Sequence, residues 1–230
     1  MYELFIGNKN YSSWSLRPWV LMRECDIPFE ERVVPFPEGG SYDTFRSFSP
    51  TGKVPCLRDG ETVVWDSLAI TEYLAERHRR IWPEDAQARA WARCATAEMH
   101  SGFTALRSAC PMSCGIRVRP NAMSDALKQD IARIGELWNE GLSRFGGAFL
   151  AGANFTAVDA FFAPVAFRVQ TYGLQLEGQA MTYVARLLAL PAMQSWYKAG
   201  LAETWREPDH EREAAEAGML LQDLRAKPAA

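Results

Sequence analysis

Nowhere do the 230 residues hold the roughly 18–20 consecutive apolar residues that a helix needs to cross a bilayer, so no membrane partner is expected. The opening Met1-Tyr2-Glu3-Leu4-Phe5-Ile6-Gly7 lacks a basic stretch and a long apolar run, and does not read as a signal peptide. Cysteine is sparse, odd in number and scattered (Cys25, Cys56, Cys94, Cys110, Cys114), which excludes a disulfide framework and points to reduced thiols in the cytoplasm. Histidine is scarcer still, at three. Cys110 and Cys114 stand near His100, but a structural zinc site needs four ligands at tighter spacing, so no metal is expected. Charge of one sign is also missing: 25 basic residues face 28 acidic ones, for a formal charge of −3. A nucleic-acid binder normally presents a basic surface, and none is expected as partner here. Internal repeats and low-complexity tracts are absent.

The chain is 48% apolar and 23% charged, the ordinary balance of a globular protein, and long enough for one large domain or two modest ones. Eight tryptophans and twelve phenylalanines imply well-filled interfaces between domains or subunits. Leu4-Phe5-Ile6-Gly7 reads as a strand. A helix follows from about Ser15 to Cys25, with Pro18 tolerated only near its start. Phe29 to Val34 is a second strand, and a loop with Pro35, Pro37, Gly39 and Gly40 comes next. Pro55 to Arg58 and Thr62 to Trp65 flank Asp59-Gly60, a strong hairpin signal. Ser67 is a natural N-cap for a helix from Leu68 to His78. Beyond Pro83 the pattern changes: Ala86 to Ala109, Ser124 to Phe145, Thr156 to Val169, Met181 to Leu190 and Pro191 to Glu203 read as helices, with no comparable strand. The expected organisation is an α/β domain over residues 1–80, a linker at Ile81 to Ala86, and an all-helical domain over residues 87–230. Glu207 to Arg225 mixes both charges and reads as a solvated helix or frayed tail.

Three places can carry chemistry. Ser12, Ser13 and Ser15 lie between the first strand and first helix, where a helix dipole and free amides stabilise an anion such as a thiolate; alternatively they cap the helix. Pro55, opening a strand after Lys53-Val54, is a turn device or a cis proline that turns the Val54 backbone toward an extended ligand. Asp66-Ser67 at a helix start either caps it or holds a ligand's carboxylate and ammonium groups.

In order and spacing these three resemble the glutathione transferase superfamily. The resemblance rests on Asn10-Tyr11-Ser12-Ser13-Trp14-Ser15-Leu16-Arg17, Gly52-Lys53-Val54-Pro55-Cys56-Leu57, and Trp65-Asp66-Ser67-Leu68-Ala69-Ile70-Thr71-Glu72-Tyr73-Leu74. Thr156-Ala157-Val158-Asp159 adds the family's buried capping box. The resemblance implies a thioredoxin-like N-terminal domain that binds glutathione, followed by an all-helical domain that shapes the acceptor-substrate site.

By that resemblance Ser12 is the catalytic serine of theta- and zeta-like members, with Ser13 and Ser15 as close alternates. Val54 would pair its backbone with the cysteinyl part of glutathione, beside a cis Pro55. Asp66 and Ser67 would hold the γ-glutamyl end, and Lys53 the glycyl carboxylate. Met99, Phe103 and Arg107, at four-residue steps, and Met112 are candidates for the acceptor site. Trp14 stands where the zeta class carries a cysteine, which argues against maleylacetoacetate isomerase activity. No active-site cysteine is present for thiol transfer. The implied function is attack of a glutathione thiolate on an electrophilic small molecule, by a cytoplasmic homodimer, with glutathione as co-substrate and no tightly bound cofactor. The alternatives are a glutathione- or hydrophobic-ligand-binding or assembly module, or a glutathione-dependent isomerase or dehalogenase.

Overall fold

The computed structural model describes residues 1–228. β1 (Tyr2–Ile6) leads into α1 (Ser13–Glu24) and returns as β2 (Phe29–Val33), which pairs parallel with β1. Parallel neighbours require a crossover, and α1 supplies it. β3 (Cys56–Asp59) lies antiparallel on the other side of β1, with Leu57 opposite Leu4. Gly60, at φ +58°, turns the chain into β4 (Thr62–Trp65), completing a sheet in the order β2-β1-β3-β4. α3 (Ser67–Ala75) follows. This is the thioredoxin-like unit, with two local differences from expectation. The loop before β3 contains a short helix, α2 (Tyr42–Arg46). The cap of α3 is Asp66 rather than Ser67, because the chain turns one residue earlier at φ +73° and Asp66 Oδ1 accepts from the Leu68 amide at 2.7 Å.

A 3-10 turn at Arg79–Ile81 precedes the helices. The single helix expected over 86–109 is two: α4 (Ala86–Ser101) and α5 (Thr104–Ala109). Gly102 ends the first, and Phe103 at φ +56° redirects the chain, so residues 99, 103 and 107 share no continuous helix face. β5 (Ile116–Pro120), α6 (Asp125–Phe145), α7 (Ala157–Tyr172), α8 (Ala180–Ala189) and α9 (Pro191–Ala202) come next. The C-terminal run is no frayed tail: α10 (Pro208–Glu216) leads into β6 (Gly218–Asp223), which pairs antiparallel with β5. The helical region therefore carries a two-stranded sheet of its own.

α7 is the central element, buried along almost its whole length and packed on α1, α4, α8 and β5. Its start is fixed by Asp159, fully buried, which accepts from the amides of Thr156 (2.9 Å) and Leu150 (3.0 Å) and from the Tyr183 hydroxyl (2.7 Å). The α/β unit and the helices share one core, where Trp19 of α1 meets Trp196 of α9 edge-on at 5.1 Å. The loop between β1 and α1 is held from the helical side. Glu203 accepts from the amides of Lys9 (2.6 Å) and Asn10 (3.2 Å), and Trp196 Nε1 donates to the Lys9 carbonyl at 2.8 Å.

The C-terminal segment reaches the same loop. Arg225 grips both carboxylate oxygens of Glu211 at 2.5 and 2.9 Å and pairs with Asp223, while Tyr11 donates to Glu211 at 2.6 Å. Removing the guanidinium leaves two carboxylates without their cation, at a cost of about 2 kcal/mol. Arg225→Ala is therefore expected to lower the denaturation midpoint and to speed protease cleavage beyond residue 205; unchanged cleavage kinetics would contradict the pinning.

Candidate active site

The end of β1 and the start of α1 deliver Ser12 to a cleft wall. Ser12 occupies the N-cap position of α1, yet its side chain makes no capping bond. Its hydroxyl lies 2.6 Å from Ser15 Oγ, which in turn accepts from the Gly7 amide at 3.2 Å. Ser12 is the donor of that pair, so Ser15 Oγ accepts from both Ser12 and Gly7; an anion placed at Ser12 would take the Ser12 proton in place of Ser15, since a hydroxyl rotates to suit its partner. Ser12 and Ser13 line the cleft; Ser15 is fully buried behind them and does not.

Two clefts meet at Trp14, Lys53 and Val54, which belong to the walls of both. The first, about 480 Å³, runs along Thr51, Lys53, Val54, Pro55, Trp65, Asp66 and Ser67. Val54–Pro55 is a cis peptide. Asp66 spends Oδ1 on the α3 cap, while Oδ2 lies 3.6 Å from His100 Nε2. Ser67 is buried at the first turn of α3, and Lys53 is exposed. The second cleft, about 330 Å³, contains Ser12 and Ser13 together with Phe36, Arg107, Met112, Arg168, His210 and Glu213. Of the proposed acceptor-site residues, Arg107 and Met112 stand on this wall. Met99 and Phe103, the other two candidates, are buried in the core and line neither of these two clefts, since the break between α4 and α5 puts them off the face that carries Arg107.

The electrostatics are lopsided. The guanidinia of Arg17 and Arg107 lie 4.1 and 4.5 Å from the Trp14 ring centre. Arg17 is almost wholly buried, with Nη1 3.5 Å from Ser67 Oγ and Nη2 3.4 Å from the Met99 carbonyl, and its Nε lacks a partner. Burial, with Arg107 and Arg168 nearby, drives its pKa well below the usual value, and Asp66 only partly opposes this. His100 is likewise lowered by burial, against the pull of Asp66. Arg107 donates to the carbonyls of Met99 and His100. Among the described residues no group of three or more His, Cys, Asp or Glu is arranged to hold a metal, and all five cysteines are free.

Arg17, Arg168, His210 and Glu213 were not singled out from sequence. Arg168 left a signal, as a lone charge in the apolar run Ala160 to Val169. The two residues of α10 left none, since they sit in an evenly mixed charge run.

Comparison with known proteins matches residues 11–77 to the glutathione S-transferase N-terminal domain family and residues 120–199 to the glutathione S-transferase C-terminal domain family, together well over half of the chain. A mouse relative, glutathione S-transferase theta-3, is 30% identical over 155 residues, 61% of this chain and 62% of the relative. The chain thus matches rather less than two thirds of the length of that theta-class protein. Glutathione S-transferase GstB of Escherichia coli K12 is 25% identical over 205 residues, 84% of this chain and 90% of the relative. Among solved structures, the theta class glutathione S-transferase of Xanthomonas axonopodis pv. citri, with glutathione bound, superposes with a TM-score of 0.62 at 22% identity, covering 85% of this chain and 96% of that one. At that identity the likeness speaks for the fold, and the fold agrees with the two domain matches: this chain belongs to the glutathione S-transferase superfamily.

Proposed function

We propose that this protein is a serine-type glutathione transferase in which Ser12 stabilises the glutathione thiolate for attack on an electrophilic carbon. The observation that carries the reading is an uncapped serine hydroxyl at a helix start, on the wall of one cleft and at the junction with a second that contains Val54, Asp66 and Ser67. Family membership and glutathione-bound neighbours support it. In this reading glutathione lies along the 480 Å³ cleft. Its cysteinyl backbone pairs with Val54, its γ-glutamyl carboxylate meets Ser67 and the first amides of α3, and its ammonium faces Asp66. Lys53 takes the glycyl carboxylate.

The thiol proton leaves to solvent, and Ser12, backed by Ser15, donates to the sulfur. The sulfur then forms a bond to the acceptor carbon as the leaving group departs with its electron pair. Shifting a thiol pKa from about 8.5 by about two units requires about 2.7 kcal/mol of preference for the thiolate. A hydrogen bond to a charged group supplies about 1.5–3 kcal/mol, and the α1 dipole adds to it. The family's homodimer, small domain against the partner's helical domain, belongs to the same proposal; the half-exposed Trp65 beside Val63 and Leu68 is apolar surface that such an interface would cover.

Ser67→Ala tests the glutathione placement. Loss of one hydrogen bond to a carboxylate is expected to raise the KM for glutathione about tenfold with kcat within about twofold, because the bond is the same in ground and transition states. Initial rates at varied glutathione decide it, and an unchanged KM refutes the placement.

A further inference from the structure

Arg168 stands on α7 among Phe161, Phe162, Val165 and Phe167, a buried charge on an apolar helix. Its Nε donates to the Cys110 carbonyl at 2.8 Å and its Nη1 to the Pro164 carbonyl at 3.3 Å. Nη2 has no hydrogen-bond partner among the described residues, is not sealed in the core, and belongs to a side chain on the wall of the 330 Å³ cleft. No ion pair among the described residues includes Arg168, Arg107 or Arg17. A buried guanidinium without a counter-charge is strongly unfavourable. Asp66 acts on Arg17 and Asp130 on the half-buried Arg107, whereas no carboxylate offsets Arg168, and the neighbouring Arg107 adds to its cost. Burial and the neighbouring Arg107 pull the Arg168 pKa down to about 10, which still leaves it charged at neutral pH. Among the described residues Glu213 is the only carboxylate on this wall; it is exposed, on α10, and pairs with none of the three. No described residue on this wall supplies Arg168 with an anion, and a ligand in the cleft can.

Ser12 lines the same cleft, so in the glutathione reading a small molecule seated there meets the thiolate beside Ser12 and a free guanidinium nitrogen on the wall. We propose that the cleft takes electrophiles bearing a carboxylate, which Arg168 binds through Nη2 with Arg107 beside it, leaving the electrophilic carbon toward Ser12. The proposal rests on the glutathione-transferase reading above and gives that site a substrate class. The anion selects among acceptors because a neutral one would leave the guanidinium unpaired.

Two conjugates test it by calorimetric titration: S-(4-carboxybenzyl)glutathione and S-benzylglutathione. The native protein is expected to bind the carboxylate form at least about tenfold tighter, the contribution of one charge-assisted hydrogen bond. Arg168→Met should bring the two affinities within about twofold, and Arg168→Lys should keep an intermediate preference; thermal melts followed by circular dichroism check that both variants fold. Equal binding of the two conjugates by the native protein overturns the proposal without recourse to any variant, and a preference that survives Arg168→Met in a folded protein overturns the assignment to Arg168. S-benzylglutathione separates the two levels of the claim. If it binds and the carboxylate adds nothing, the anion site alone fails. If neither conjugate binds, the glutathione reading fails and this proposal with it.

Discussion

Ser12→Ala is expected to reduce kcat/KM at neutral pH by about a hundredfold, the equivalent of about 2.7 kcal/mol of lost thiolate stabilisation. Glutathione should still bind, because the contacts assigned to Val54, Asp66 and Ser67 lie in the adjoining cleft. Loss of rate with retained binding is therefore the signature. Ser13 lines the same cleft, so Ser13→Ala is the necessary comparison. A large loss in Ser13→Ala with little in Ser12→Ala would move the role by one residue. Ser15 is predicted to behave differently from both: it reaches the site only through Ser12, so Ser15→Ala should cost less than Ser12→Ala and act on the same ionisation.

The second large effect concerns stability. Asp159→Ala removes the acceptor from the amides of Leu150 and Thr156 and from the Tyr183 hydroxyl, all within a fully buried region. Three stranded donors should cost about 4 kcal/mol, which in a chain of this size lowers the melting temperature by roughly 10 °C. The same carboxyl gives a pH signature. Burial raises its pKa from 3.8 to about 6, although the amides of Leu150 and Thr156 and the Tyr183 hydroxyl pull downward. The native state then holds a proton that the unfolded chain has lost between those two values. The associated stability is complete below the unfolded value and is lost as pH rises through the native one. Asp159→Asn cannot titrate, so the stability difference between native protein and Asp159→Asn should shrink as pH is raised from 4 to 7. Chemical denaturation across that range checks it; a difference that is flat or grows contradicts the stated direction.

Much of this architecture was readable because its signals are local. Asp59-Gly60 between two apolar runs marks the β3–β4 hairpin, and the stripe Leu127, Ile131, Ile134, Trp138 and Leu142 marks α6. What escaped depends on distant partners. Ile116-Arg117-Val118-Arg119 alternates as a strand should, but it is short, and its partner lies at the far end of the chain where Met219, Leu220 and Leu221 are half-exposed. The break between α4 and α5 was signalled by Gly102, yet a left-handed Phe103 is a tertiary outcome, since a bulky residue adopts it only when packing compensates. The site divides in the same way. Ser12, Lys53, Val54, Asp66 and Ser67 belong to contiguous motifs and lie on two adjoining clefts. Arg168, His210 and Glu213 join them only because α7 folds onto α1, and α10 onto Tyr11 in the loop before it, from the other half of the chain, so no motif contains them together.

Whether this site ionises glutathione is read from the thiolate absorbance of the complex followed as a function of pH. Saturable binding is expected, with a bound-thiol pKa of about 6.5 against about 8.5 for the free thiol, restored toward the free value in Ser12→Ala. A complex whose thiol titrates like free glutathione would contradict it.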